Sequence, residues 1–204
     1  MTDRASQGGV RGSRLLGVCV SVSAYVIAVL AAAFAVRAVG LSQPLAELGL
    51  GTAIATVVVF GVSMAANNSS IYDPYWSVAP VALAAAWIVR GLPGGTPVRQ
   101  LIVSVLLLAW ATRLTVNCLL RWRGLDHEDW RYADFRSRGR LYWPISFVGF
   151  HLFPTLIVFL GCIALVPALG PGGRPFGILD AAAAVVTASA IAIEWLSDRQ
   201  LRRF

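Results

Sequence analysis

Six stretches of this chain are apolar on every side, and short polar breaks separate them. They cover residues 15–36, 45–66, 76–89, 98–120, 142–166 and 176–196. A helix needs about 20 residues to cross a hydrocarbon core roughly 30 Å thick. The third stretch is the shortest, and its Pro80 falls in the first turns, where a missing N–H costs least. The breaks carry turn chemistry: Gly40 with Pro44, the segment 67–74, the segment 91–97, and the segment 167–175 with Gly170, Gly172 and Gly173. The longest polar run, 121–141, reads RWRGLDHEDWRYADFRSRGRL. No internal repeat and no separate soluble domain is visible. The pattern predicts an all-α, polytopic transmembrane helical bundle of about six helices over 15–204. A polar, disordered, cytoplasmic tail at 1–14 precedes it.

Composition agrees. Of 204 residues, 57% are hydrophobic and 13% charged, and the mean hydropathy is +0.71. A soluble domain carries about 25% charged residues, so this chain cannot cover its surface in water. The first apolar stretch exceeds the roughly 7–15 residues of a secretory signal core and is expected to stay as a mature helix.

Charge changes the picture from spans to topology. The net charge is +7, and all 17 basic residues are arginine. In a membrane protein such residues collect in cytoplasmic loops and against anionic headgroups, so the basicity does not imply nucleic acid. With a cytoplasmic N-terminus, twelve arginines fall inside and four outside, Arg113 lying within a span. The expectation is therefore N-in and C-in, in a bacterial plasma membrane, crossed several times. Arginine without lysine, with abundant Ala, Gly and Val, suggests a GC-rich bacterial genome.

A few polar residues stand where lipid disfavours them. Arg113 lies inside VLLLAWATRLTVNCLL, where a central arginine costs about 2.5–3.5 kcal/mol. It calls for an interior, a wet cavity or an ionic partner, unless it snorkels to the headgroups. Asn117 is one turn further on the same face. Glu194 and Asp198 also share a face, and can pair with Arg113 or with loop arginines, or accept from a ligand amide. Asp73 sits in NNSSIYDPYW; with a tyrosine such as Tyr72 it is either an acid at a cavity mouth or part of an interfacial aromatic belt. The loop 121–140 holds six arginines beside Asp126, Glu128, Asp129 and Asp134. That mixture suits a folded loop with internal ion pairs, leaving some guanidinium groups for an anion such as a cofactor phosphate. Neither His127, His151 nor Cys19, Cys118 and Cys162 has metal-ligand spacing, so no metal is expected.

Four motifs, in order, resemble the DUF1295 family of bacterial membrane proteins, which is similar to the C-terminal domain of steroid 5-alpha-reductases. They are NNSSIYDPYW, WATRLTVNCLLRWRG, EDWRYADFR and EWLSDRQLRRF, and they span 67–204. The resemblance implies a membrane-embedded, NADPH-dependent reductase of a carbon–carbon double bond in a lipid-like substrate. It implies that Glu194 and Asp198 lie near the nicotinamide, with Asn117 beside them. Arg113, Arg121, Arg131 and Arg136 would hold polar or phosphate groups. Asp73, with Tyr72, would stand near the catalytic acid. The family's RHPN-type segment, which supplies much of the cofactor site, does not occur here. A separate chain supplying that part is therefore an expected partner, besides membrane lipid. The alternatives are a non-catalytic subunit or degenerate remnant, and, further off, a transporter or a membrane methyltransferase.

Overall fold

The structure, a computed structural model, describes residues 3–89, 96–137, 139–170 and 174–203, with side chains from Arg14 onward. The breaks predicted at 91–97 and 167–175 lie partly outside these residues, as do Arg90, Arg138 and the side chains of Arg4 and Arg11. In chain order the helices are α1 (Asp3–Val39), α2 (Pro44–Ala65), α3 (Tyr75–Val89), α4 (Pro97–Arg121), α5 (Trp130–Ser137), α6 (Tyr142–Ile145), α7 (Phe153–Cys162), α8 (Leu165–Leu169) and α9 (Ile178–Leu201). A 3₁₀ turn, Ser69–Tyr72, precedes α3, and a π-helical stretch, Ser146–Leu152, joins α6 to α7 into one rod.

Among the described residues, five helical segments are long and apolar enough to cross a membrane: Arg14–Val39, Pro44–Ala65, Pro97–Arg121, Tyr142–Cys162 and Ile178–Leu201. These match five of the six expected spans. The third expected span is α3, whose 15 residues reach only about 22 Å at 1.5 Å per residue. The helix containing the first span begins at Asp3, well before the apolar start expected at 15.

The chain divides into two compact units. One comprises residues 1–76 and 120–159, the other 77–119 and 160–204. In the first, Gly17, Ser21, Ala24 and Ala28 form a buried stripe of small residues along α1. Lipid tails are as apolar as leucine, so helices in a membrane gain from close backbone approach, which small residues permit. Gly51 of α2 sets its Cα against α1 in this way: a Cβ there would stand 3.5 Å from Val36 and 3.7 Å from Ala32. The large side chains of α1, Leu15, Val22, Val26, Leu30 and Phe34 among them, point outward, where a bilayer would receive them.

Local chemistry explains the ends. Gly40, at φ +64°, closes α1 with its N–H on the Val36 carbonyl at 3.1 Å, and Pro44 opens α2. Asn67, at φ 51°, ends α2 in the left-handed conformation, and the Asn68 N–H reaches the Ser63 carbonyl at 2.9 Å. Asparagine is the residue after glycine most suited to that position. In the rod, Pro154 has no N–H for the Phe150 carbonyl, and the wider π ladder lies immediately before it.

In the second unit α4 and α9 run parallel. Arg99 pairs with Asp180, Arg113 with Glu194 and Asn117 with Asp198, a constant offset of 81 residues. The two helices are thus tied at both ends by polar side chains.

Candidate functional sites

The first unit has a polar knot where α2 ends. Asn68, Ser69, Ser70, Ile71 and Tyr72 are all buried. The Asn68 Oδ1 caps the 3₁₀ turn by accepting from Ser70 N at 2.9 Å. Its Nδ2 donates to the carbonyls of Leu125 (2.8 Å) and His127 (3.1 Å). Ser69 N donates to Glu128 Oε1 at 2.7 Å, and Asp129 N donates to Ser70 Oγ at 2.8 Å. The segment 67–73 is thereby laced to the loop 122–137.

The loop arginines are engaged within it. Arg136 forks onto Glu128 at 2.7 and 3.0 Å, donates to Asn67 Oδ1, and stacks over the Tyr142 ring at 4.3 Å. Arg131 forks onto Asp129 at 2.8 and 3.2 Å. Those contacts hold the Asp129 carboxyl below its ordinary range and the Arg131 guanidinium above its own. Internal ion pairs were expected of this loop. Arg131 and Arg136, two of the four arginines expected to hold polar or phosphate groups, already have carboxylate partners.

Asp73 caps the 3₁₀ turn, and Tyr132 of α5 donates to its Oδ1 at 2.6 Å. Burial lifts the Asp73 carboxyl to about 6, although the Tyr132 hydrogen bond and the Arg131 charge pull it down. Burial, then the Asp73 charge and hydrogen bond, push the Tyr132 phenol well above its ordinary range. The tyrosine proposed beside Asp73 was Tyr72. Its hydroxyl instead turns inward, bonding to the His151 carbonyl (3.0 Å) and Thr155 Oγ1 (2.8 Å). Tyr132 was missed, although an acid so placed needs a donor and the EDWRY stretch holds one.

The second unit brings four expected residues together. Arg113 is 11% exposed, pairs with Asp198 and donates to Glu194 Oε2 at 2.5 Å. Asn117 Nδ2 donates to Asp198 Oδ1 at 3.1 Å, and Arg202 donates to Asn117 Oδ1 at 3.4 Å. Glu194 is 46% exposed and Asp198 17%. The Arg113 Nε is buried without an acceptor among the described residues. At the other end Arg99 forks onto Asp180 at 2.7 and 3.1 Å and donates to the Arg174 carbonyl at 2.9 Å. Arg121 is exposed at the end of α4, and Arg199 lies over the Trp195 ring at 5.5 Å.

The family model described as "Protein of unknown function (DUF1295)" matches residues 59–204. An uncharacterized protein of Schizosaccharomyces pombe is 28% identical over 149 residues, covering 70% of this chain and 43% of the relative. The chain thus spans less than half the length of that relative. No solved structure matches.

Proposed function

This chain belongs to the DUF1295 family, and from that premise we propose that it is a membrane-embedded reductase that saturates a carbon–carbon double bond of a lipid-like substrate with NADPH, in the plasma membrane. The observation that carries the reading is the Asp73 carboxyl at about 6, hydrogen-bonded to Tyr132 outside the apolar spans. A carboxyl tuned upward holds a proton near neutral pH and can give it to a carbon.

The residues of the second unit suit the carboxamide end of a nicotinamide. Arg113 Nε is a buried donor without an acceptor, and Asn117, Asp198 and Glu194 supply both signs of hydrogen bond beside it. Phosphates need guanidinium groups that carboxylates do not already hold. Arg131 and Arg136 fail that test. Among the described residues of the second unit, Arg199, Arg202 and Arg203, exposed at the end of α9, meet it. In the first unit Asp73 would give a proton to an alkene carbon, and Tyr132 would steady the carboxylate left behind; a hydride is the chemistry that NADPH would supply when bound.

A second reading, a non-catalytic membrane subunit, is favoured by the same engaged arginines of the loop. Fluorescence titration of NADPH onto the full chain in lipid nanodiscs separates the two. The reductase reading expects saturable enhancement, weakened at least tenfold by Asn117→Leu. Absence of saturable binding to the wild-type chain would overturn it.

A further inference from the structure

Among the described residues, four side-chain atoms of the first unit are buried without a hydrogen-bond partner: Ser21 Oγ of α1, Ser63 Oγ of α2, and Ser146 Oγ and His151 Nε2 of the π stretch. The last three lie on two elements that pack together, α2 and the π stretch. Thr56 of α2 meets Thr155 at 3.2 Å, and the Phe60 ring packs on His151 (5.1 Å between centroids) and on Phe147 (4.9 Å). The two elements therefore step past each other antiparallel, and the next turn of α2 brings Ser63 level with 146–148.

The chemistry of the three atoms is complementary. His151 Nδ1 lies 3.0 Å from the Ser146 carbonyl. A carbonyl only accepts, so Nδ1 carries the proton, and the neutral ring's Nε2 is left a bare acceptor. Each serine hydroxyl can donate or accept. A buried acceptor without a donor is strongly disfavoured, and three polar atoms so left on two packed elements are not what close packing alone produces. The π stretch adds a second indication, because single π turns inside helices mark functional positions.

We propose that Ser63, Ser146 and His151 form an internal binding site for one hydroxyl group, which donates to His151 Nε2 and exchanges hydrogen bonds with the two serines. Its source is either a water molecule or the terminal hydroxyl of a lipid alcohol. The walls, Phe60, Phe147 and Tyr72, are aromatic. The proposal does not depend on the reductase reading.

Solid-state NMR of the full chain in nanodiscs, with ¹⁵N-labelled histidine, tests it. His127, exposed in the loop, is assigned by His127→Gln. The wild-type His151 is expected as the Nδ1–H tautomer, with Nε2 shifted to the hydrogen-bonded acceptor position. Ser63→Val, which fills the space beside it, returns Nε2 to the bare acceptor position. Polarisation transfer to Nε2 from water protons identifies water. Transfer from chain protons, with a stoichiometric alcohol in the organic extract, identifies the lipid. A bare Nε2 in the wild-type chain, or a proton on Nε2 itself, would overturn the proposal, and neither result depends on a variant folding.

Discussion

Asp73 shows how one residue's environment becomes a pH dependence. Its carboxyl is raised by burial from about 3.8 to about 6, so the fold favours the protonated form. Stability contributed by that proton is complete below about 4 and falls as pH rises to about 6. Above that the ionised carboxylate is a constant liability. Asp73→Asn keeps an acceptor for Tyr132 and removes the charge. It should raise stability by about 1–3 kcal/mol at pH 8, with the gap to wild type closing at pH 4, as read by thermal unfolding in detergent. Tyr132→Phe removes the hydrogen bond that lowers this carboxyl, and should move its titration upward. Asn68 is the opposite case, a neutral residue whose every hydrogen-bonding group on the side chain is used. Asn68→Ala leaves the Leu125 and His127 carbonyls and the Ser70 N–H without their partner, and should cost about 2–4 kcal/mol. Asp73 and Asn68 were equally visible in NNSSIYDPYW. Only the acid drew attention, because a cap that also binds two distant carbonyls leaves no signal in local spacing.

Helix pairs carry the next layer. Arg113 holds two carboxylates from α9, so Arg113→Leu leaves both without a cation. It should destabilise by about 2–4 kcal/mol, reduced from the fully buried case because Glu194 is half exposed. Replacing Arg113, Glu194 and Asp198 together by Leu, Gln and Asn should be close to neutral, as measured by unfolding in mixed micelles. Gly17 tests a contact of a different kind. A Cβ there would sit 2.9 Å from the Trp122 ring, so Gly17→Val should destabilise by about 1–3 kcal/mol, and Trp122→Ala should relieve most of that. The spacing of Arg113, Asn117, Glu194 and Asp198 made each pair's shared face legible in the sequence. The parallel course of α4 and α9 was legible only through connectivity, because hydropathy records lengths and not partners. The short α3 was legible as the least regular span, with Pro80 near its start. The π stretch was not, since its widened ladder follows from where Pro154 falls against the preceding carbonyls.

For the whole molecule, membrane insertion and helical class follow from composition and periodicity alone, because those properties sum over many residues. Function does not sum in this way. The loop arginines read as anion holders when counted, yet Arg131 and Arg136 face carboxylates of their own loop, a pairing that only the fold of 126–137 decides. The parallel α4 and α9 both end in arginine-bearing segments, at Arg121 and at Arg199–Arg203. The positive-inside tendency then predicts a cytoplasmic C-terminus. A green fluorescent protein fused after Phe204 should fluoresce, and alkaline phosphatase at the same place should stay inactive. The opposite pair of results would reverse the topology.

The central claim is that this family member reduces a lipid-like alkene. Membranes from cells expressing the full chain, supplied with NADPH deuterated at the transferred position, test it most directly. Mass spectrometry of the lipid extract should show a species gaining one deuterium and one proton across a former double bond, depleted in the Asp73→Asn membranes and absent from membranes lacking the chain. Wild-type membranes whose lipids gain no deuterium beyond the background without the chain would contradict the account.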